Sequence, residues 1–479
     1  MKLALTLFKA LAWAGIACML MMSLFENTLN TFGNDISWIH GWVLVVVSSS
    51  QTQWAVSICI FFYTITLILI RSRFLDSDSL KDKYKNALLI VFLIAGLNSY
   101  FIDYLTSSLT LDQLILYGSI ALGLFVAMYT FAKQGGNAIV FFLVLLLSTA
   151  SLWNIHVRRI YQYREDNRWS GPWGNPNIYG VLMGAGVVLA LGRAMQPFVR
   201  VGKNIIMRMA VKRRSVLIGE YAITGVSLLA FVLMTRGLLH SYSRGAWLGA
   251  LGSLIYLAVF NLQIQNSKLI MRIRRNGLCL IIIVISLFVL NVFYLPQTKW
   301  HLSHRILSTI NLFDFSWRNR IAGWEGALQI MTEHPWLGVG WNGTERSYEH
   351  YYLSPKLSES AAIETNDYLL LGATLGIPAL FCFGMYVWLS ITRRGRMRSA
   401  ERGVRISNDT NEEGAYLDWL QTTCRAGAVV LLAGFWFDGG LFKLPTASVF
   451  WILLELGSLE PRRESKEFAD KNIATPVNA

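Results

Sequence analysis

Residues 316–378 read SWRNRIAGWEGALQIMTEHPWLGVGWNGTERSYEHYYLSPKLSESAAIETNDYLLLGATLGIP, the longest polar interruption in an otherwise strongly apolar chain. Apolar residues recur at helical spacing in its first part: Ile321, Trp324, Leu328 and Met331. This spacing predicts about four turns of amphipathic helix. The helix breakers that follow are Pro335 and the glycines at 338, 340 and 343. A surface helix, a glycine turn and then an apolar span together predict a lid over a pocket at a membrane surface.

The rest of the chain is dominated by apolar runs. Of its 479 residues, 54% are hydrophobic and only 15% are charged, whereas soluble proteins have about 25% charged residues. Runs of about 18 or more apolar residues can each cross the hydrocarbon core of a bilayer. We therefore predict an all-α polytopic membrane protein, a single integral-membrane domain over residues 1–479. Its first run, near residues 4–24, lacks a small-residue cleavage site and is interpreted as a retained helix.

The predicted membrane spans number about twelve. They lie near residues 4–24, 53–71, 87–105, 111–131, 138–155, 178–195, 216–235, 245–264, 277–295, 366–391, 416–437 and 446–459. Lys and Arg cluster after the second, sixth, eighth and tenth spans, for example Arg71 and Lys85, and one orientation satisfies all four clusters. Because cytoplasmic loops are rich in Lys and Arg, both termini are predicted to be cytoplasmic. Residues 296–366 then form a large periplasmic loop, and 460–479 form a cytoplasmic tail.

The net charge of +14 does not indicate a nucleic-acid partner, because this loop pattern explains most of it. Some arginines nevertheless fall in outward loops, against that preference: Arg158, Arg159, Arg164, Arg168, Arg236, Arg244, Arg305, Arg318, Arg320 and Arg346. Paired guanidinium groups suit a diphosphate, so an anionic ligand at the outer face is one explanation. Ordinary surface charge, or pairing with Glu165, Asp166 and Glu325, is the other.

Three segments carry further signals. Residues 168–177, RWSGPWGNPN, form a rigid turn that presents Asn175 and Asn177, although the Asn-Pro pair also suits a plain helix start. Residues 242–247, YSRGAW, place Arg244 at the mouth of a span, where it could also merely snorkel. The third segment runs from Arg320 and Trp324 through HPWLGVG to ETNDYL at 364–369, which contains Asn366 and Asp367.

Together these segments resemble the O-antigen ligase and polymerase family of integral-membrane glycosyltransferases of the GT-C type. The resemblance rests on the Gly-Asn-Pro-Asn turn, the Ser-Arg-Gly at a span mouth, and Arg-x-x-x-Trp followed by His-Pro-x-x-Gly-x-Gly. It also includes Asn-x-Tyr-Leu before Gly-Ile-Pro. The motifs themselves are confined to about 168–180, 242–247 and 316–378.

This resemblance implies an enzyme of the bacterial inner membrane that uses no metal or other cofactor. It implies glycan transfer from undecaprenyl diphosphate to lipid A-core, or to a second carrier-linked glycan, at the periplasmic face. Arg244 and Arg320 would stabilise the diphosphate leaving group. The expected substrate-binding residues are Arg168, Asn175, Asn177, Arg318, Trp324, Asn366 and Asp367, and membrane lipids are expected partners.

One position departs from the family. The family's usual His-Asn pair is Thr365-Asn366 here, and a threonine hydroxyl cannot act as a base at neutral pH. The nearest substitute is Glu364, which would need burial to raise its pKa. His350 is the second candidate for the catalytic base, and Asp367 is the third.

Ligase and polymerase share every one of these motifs, so the sequence does not separate them. A transporter or lipid-handling protein without chemistry is the third hypothesis. Ionisable residues inside spans would favour transport, but the predicted span centres are nearly free of charge. The functional polarity lies at the outer face, which favours interfacial transfer.

Overall fold

The computed structural model describes residues 50–74, 80–97, 111–133, 136–157, 160–163, 166–200, 214–263, 315–341, 343–353, 360–392, 408–437 and 439–458. The helices of the first half are α1 (Ser50–Phe74), α2 (Leu80–Ala95), α3 (Leu111–Lys133), α4 (Gly136–Val157), α5 (Pro176–Arg200), α6 (Arg214–Ser241) and α7 (Arg244–Gln263). Those of the second half are α8 (Phe315–Glu333), α9 (Gly343–Ser347), α10 (Asp367–Leu375), α11 (Ile377–Ile391), α12 (Asn408–Phe437) and α13 (Leu444–Ser458).

Short elements complete the described chain. An antiparallel hairpin pairs β1 (Ile160–Tyr163) with β2 (Asp166–Trp169) in the register Tyr161↔Arg168. Two short 3-10 helices cover Gly171–Trp173 and Ser360–Thr365, and a π-helical turn covers Tyr348–Tyr352. The sequence predicted helices alone, so this small sheet is an addition to the predicted architecture.

The helices confirm a polytopic membrane fold. Within the described part of the chain, five segments are long and apolar enough to cross a bilayer: Asp112–Thr130, Gly136–Ile155, Pro176–Gln196, Tyr221–Ser241 and Leu417–Phe437. Shorter apolar helices cover Ile58–Ser72, Arg244–Val259, Ile377–Ile391 and Leu444–Ser458. The predicted first and ninth spans, 4–24 and 277–295, lie outside the described residues, as do 296–314 and the tail 460–479. The number twelve and the extent of the periplasmic loop therefore stay predictions.

Helix α5 is the centre of the bundle, because it packs against α4, α6, α7 and α12. Its small residues allow this close approach. A Cβ on Gly192 would lie 2.2 Å from Cγ2 of Thr423 on α12. The same contact is reinforced by the indole of Trp419, which donates a hydrogen bond of 2.8 Å to the carbonyl oxygen of Gly192. These contacts hold α5 in the bundle. The Asn-Pro-Asn turn, at which α5 starts, therefore lies at one end of the bundle.

A buried ionic cluster joins four helices at the opposite end of the bundle. Glu455 of α13 is fully buried, and its carboxylate lies 2.6 Å from the Arg71 guanidinium and 3.8 Å from the Lys85 ammonium. The hydroxyl of Tyr386 donates to the same carboxylate. Arg71 and Lys85 were interpreted as loop cations, which was wrong, because both are packed against Glu455 in the interior. The helix ends that meet in this cluster are those that the sequence predicts to lie on the cytoplasmic side.

The predicted amphipathic helix exists as α8, and its predicted end before Pro335 is confirmed. Its buried face differs from the prediction. Leu328 is 50% exposed, while the buried positions are Gly323, Gly326, Ala327, Ile330 and Met331. The glycines allow backbone contact: a Cβ on Gly323 would lie 2.5 Å from the carbonyl oxygen of Ala362. Helix α8 thus packs on the turn Ser360–Thr365 and on α10, around a small core of its own.

The predicted tenth span, 366–391, is broken at Gly376 into α10 and α11. Gly376 has φ +88°, and a Cβ there would lie 2.3 Å from the carbonyl oxygen of Trp336. Residues 335–340 run across the break, since the Val339 and Gly340 amides donate to Ala373 and Thr374 and the Ile377 amide donates to Pro335. Glycine is required here by both the positive φ and the close backbone contact. Helix α10 therefore lies outside the apolar span Ile377–Ile391.

We predict the orientation of this bundle from the basic loops. A reporter that is active only in the periplasm should be active when fused near residue 340 and inactive when fused near residue 405. A cytoplasm-specific reporter at the same two positions is the control and should give the reverse pattern. If residue 340 proves cytoplasmic, the site described below cannot act at the outer face.

Candidate functional site

A cleft of about 220 Å³ opens at the end of the bundle opposite the ionic cluster. Its walls come from the starts of α3 and α5, the turn Ser360–Thr365, the start of α10 and the turn before α13. Its polar side chains are Asp112, Asn175, Asn177, Glu364, Thr365, Asp367 and Lys443. The cleft therefore joins two of the three sequence motifs, 168–177 and 364–369, although they are nearly 200 residues apart.

The turn 168–177 is held by its own polar side chains. Asn175 accepts hydrogen bonds from the backbone amides of Asn177 (2.9 Å) and Ile178 (3.3 Å), so it caps α5. Arg168 donates from Nε to the carbonyl oxygen of Ser241 (2.8 Å) and from Nη2 to the side chain of Asn177 (2.6 Å). The helix-start interpretation of Asn175 is therefore correct, and the two asparagines also line the cleft. Arg168 links this turn to the end of α6.

Arg244 begins α7 directly after a tight turn. Tyr242 has φ +50°, and the hydroxyl of Ser243 accepts the Ala246 amide at 3.3 Å, which caps the helix. A Cβ on Gly180 of α5 would lie 2.5 Å from Oγ of Ser241, so this turn packs against the first turns of α5. Arg244 is half-buried and does not line the cleft. Its motif nevertheless sits beside the turn that carries Asn177.

Arg320 lies on α8 and is oriented by a backbone partner. Its Nε donates to the carbonyl oxygen of Phe437 at 2.9 Å, two residues before Gly439 in the cleft wall. Arg318, on the same helix, is exposed. Trp324 packs edge-to-face against Trp317 and Trp436, with ring centroids 6.2 and 6.0 Å apart. This aromatic cluster fixes α8 against α12, and Trp324 does not line the cleft.

Asn366 and Asp367 form the start of α10. The side chain of Asn366 accepts the amides of Tyr368 (3.0 Å) and Leu369 (3.1 Å), so it caps the helix. Its own Nδ2 is buried and has no hydrogen-bond partner among the described residues. Asp367 is only 2% exposed, and its Oδ2 accepts the Leu441 amide at 2.7 Å. Burial raises the pKa of Asp367 to about 8. This carboxyl therefore titrates near neutral pH.

Glu364 does not have the burial that the sequence analysis required of it. Its side chain is 46% exposed, and its carboxylate lies 3.7 Å from the Lys443 ammonium, itself 52% exposed. The turn Ser360–Thr365 presents Glu364 at the open side of the cleft, where water can solvate it. The expected desolvation of Glu364 was therefore wrong. Thr365 also lines the cleft and donates its hydroxyl to the carbonyl oxygen of Ala362 at 2.7 Å.

His350 lies away from the residues that line the cleft. It is exposed on the turn Tyr348–Tyr352, and its Nδ1 is 3.2 Å from the carbonyl oxygen of Arg346. The described segments contain no group of three or more His, Cys, Asp or Glu side chains placed to hold a metal ion. Metal independence stays an expectation from the family resemblance.

Sequence reasoning missed two cleft residues, Asp112 and Lys443. Lys443 lies in the predicted outward loop between spans eleven and twelve, so it is a cation against the loop preference, the same signal that singled out the arginines. Asp112 lies at the start of the fourth predicted span. Its only sequence signal as a site residue is that it is acidic and lies at the mouth of a span. Tertiary packing alone reveals that both face Glu364 and Asp367.

Comparison with known proteins agrees with the motifs. The model of the O-antigen ligase family matches residues 229–384, about a third of the chain. The matched region contains the Arg244 turn, α8, the break at Gly376 and the segment 364–369, whereas the Asn-Pro-Asn turn precedes it. No curated protein matched the chain. The predicted resemblance to this family is therefore confirmed over residues 229–384.

Proposed function

We propose that this protein transfers a glycan from undecaprenyl diphosphate to lipid A-core at the periplasmic face of the inner membrane. The observation that carries the proposal is the cleft, which joins the start of α5 to the start of α10 at one end of a membrane bundle. The match of residues 229–384 to the O-antigen ligase family supports a glycan-transfer role of this kind. A polymerase that joins carrier-linked repeats is the alternative, since both reactions use the same donor.

The reaction requires four linked changes. An acceptor hydroxyl attacks the anomeric carbon of the donor sugar, and a new glycosidic C–O bond forms. The C–O bond to the diphosphate breaks, and the diphosphate leaves with the electron pair. A base takes the hydroxyl proton. Two groups are therefore needed from the protein, fixed cations for the leaving diphosphate and a proton acceptor near the acceptor oxygen.

We assign the stabilisation of the leaving diphosphate to Arg244 and Arg320. Both lie next to the cleft wall without lining it, Arg244 after the turn packed on α5 and Arg320 through its bond to Phe437. A guanidinium group presents planar paired donors to phosphate oxygens, and that of Arg320 is oriented by its bond to Phe437. Arg318 is exposed on the same helix and is proposed to add to the positive field. Arg168 holds the turn and the Asn177 side chain in place.

The proton acceptor is proposed among the ionisable side chains at or near the cleft. Glu364 lines the cleft but is solvated and paired with Lys443. His350 is exposed on a turn that does not line the cleft. All three candidates come from the sequence, and the third, Asp367, is treated below.

The deciding experiment is the glycolipid profile of a deletion strain. Full-length carrier-linked glycan that is never transferred to lipid A-core is expected if the protein is a ligase. Single capped repeats would instead identify a polymerase. Complementation with the intact gene is the control, and an unchanged profile in the deletion strain would contradict both activities.

A further inference from the structure

We propose that Asp367 is the base that takes the proton from the acceptor hydroxyl, and that the surrounding cleft is the subsite for the acceptor sugar. This inference rests on the glycan transfer proposed above. It replaces Glu364 and His350 with a residue whose position, burial and neighbours are all visible in the cleft. The proposal stands on the geometry of one carboxylate and on the chemistry of the walls around it.

The two oxygens of Asp367 have different surroundings. Oδ2 accepts the Leu441 amide at 2.7 Å, which fixes the orientation of the carboxylate. Oδ1 accepts no hydrogen bond from the described residues and faces the cleft wall at Gly439. A Cβ on Gly439 would lie 3.6 Å from Oδ1 and 2.8 Å from the carbonyl oxygen of Glu364, and its φ is +69°. A glycine at this position therefore leaves room beside the free oxygen for a ligand atom.

The walls of the cleft suit a sugar better than a diphosphate. Among the described residues, three carboxyl groups line it, those of Asp112, Glu364 and Asp367, and one cation, Lys443. A diphosphate would be repelled by this charge, whereas hydroxyl groups donate to carboxylates and exchange hydrogen bonds with amides such as those of Asn175 and Asn177. We therefore assign the donor diphosphate to the arginines beside the cleft and the acceptor hydroxyls to its interior.

The protonation equilibrium of Asp367 fits the role of a base. Burial raises its pKa to about 8, and the charges of Asp112 and Glu364 act in the same direction. Lys443 acts in the opposite direction, because a nearby cation favours the ionised carboxylate. A base works in its ionised form, so transfer should increase as the pH rises through about 8. A general base with a pKa near the working pH is also the most efficient.

In the proposed step the acceptor O–H bond breaks as its oxygen bonds to the anomeric carbon. The proton goes to Oδ1 of Asp367, and the electron pair of the broken sugar–diphosphate bond leaves with the diphosphate. Oδ2 keeps its hydrogen bond from Leu441 throughout, so the carboxyl does not need to turn. The proton then returns to water at the open side of the cleft, where Glu364 and Lys443 lie.

The test uses carboxyl-to-amide changes in purified full-length protein, assayed between pH 6 and 10. The substrates are membranes of the deletion strain, which hold the native donor and acceptor, and binding of undecaprenyl diphosphate is measured separately. Asp367→Asn can still accept the Leu441 amide, so it should fold and bind undecaprenyl diphosphate while transfer falls by about 10²–10⁴-fold. Asp367→Glu should recover part of the activity with a displaced pH midpoint.

Two charged neighbours of Asp367 provide matched variants, which should shift the pH midpoint of transfer in opposite directions. Glu364→Gln removes a negative charge beside Asp367, so the pH midpoint of its transfer should move to lower pH, whatever its maximal rate. Lys443→Met removes the favourable cation, so its midpoint should move to higher pH. A purely structural role for Asp367 would leave both midpoints where they are in the wild type.

The outcomes separate this inference from the proposed function. If Asp367→Asn keeps wild-type transfer, or if Glu364→Gln and Lys443→Met leave the pH midpoint where it is in the wild type, Asp367 is not the base, while glycan transfer still stands. If the wild-type protein neither binds undecaprenyl diphosphate nor transfers glycan, the proposed function fails and this inference fails with it.

Discussion

Replacing Arg244 or Arg320 with alanine should abolish glycan transfer while the protein still inserts into the membrane. The charge that develops on the departing diphosphate would lose an oriented donor, and removal of one such donor typically costs about 10²–10³-fold in rate. Arg320 is held by Phe437 in one orientation, so a lysine, whose ammonium cannot reproduce the planar fork, should also be impaired. Transfer would be measured with native donor in membranes of the deletion strain.

A control for this pair is Lys81→Ala, which removes one cation at the opposite end of the bundle, where Lys81 donates to the carbonyl oxygen of Thr392. It should leave transfer unchanged. Near-normal activity of both arginine-to-alanine variants would remove the assignment of the diphosphate to these residues. Loss of activity in Lys81→Ala as well would show that any lost cation perturbs the fold.

The largest effect on stability is expected for Glu455→Gln in the buried ionic cluster. This change keeps the side-chain volume but leaves Arg71 and Lys85 in the interior without the carboxylate that they share. Breaking a buried pair in this way typically costs about 3–5 kcal/mol. Thermal unfolding of the purified protein in detergent should show a clearly lower midpoint than the wild type.

Glu364→Gln is the matched control for stability. It makes the same chemical change in an ion pair that is about half exposed, and solvent screening limits such pairs to about 1 kcal/mol or less. The two midpoints should therefore differ clearly from each other. Equal midpoints would mean that the cluster around Glu455 contributes no more than a surface pair.

The sequence predicted α8 and its end well, because helical spacing and Pro335 are local signals. It predicted the buried face only in part, Met331 but not Leu328, because periodicity counts large apolar side chains and gives no weight to glycine. Gly323 and Gly326 make the closest contacts of α8, where a Cβ would lie 2.5 Å from Ala362 and 2.4 Å from Tyr348. Large residues such as Leu328 are exposed instead. Whether such a residue is buried depends on tertiary contacts, which the local pattern does not reveal.

The sequence predicted individual residues of the candidate site but not how the fold brings them together. Each motif carries a local signal, so Asn175, Asn177, Glu364 and Asp367 could be named in advance, and the cleft joins all four. Burial depends on tertiary packing, so the sequence could not show that Asp367 is enclosed while its near neighbour Glu364 is solvated. The role of Arg168 was likewise hidden, because its partner Ser241 is 73 residues away.

The break at Gly376 also bears on the lipid around the protein. Helix α11 has 15 residues, so it reaches about 22 Å, at 1.5 Å per residue. The hydrocarbon core of a typical bilayer is about 30 Å thick. A span shorter than the core is accommodated partly by local thinning of the bilayer. Thinning beside α11 would bring the outer headgroups towards α10, so a lipid-anchored donor could present its diphosphate there while its prenyl chain stays among the acyl chains.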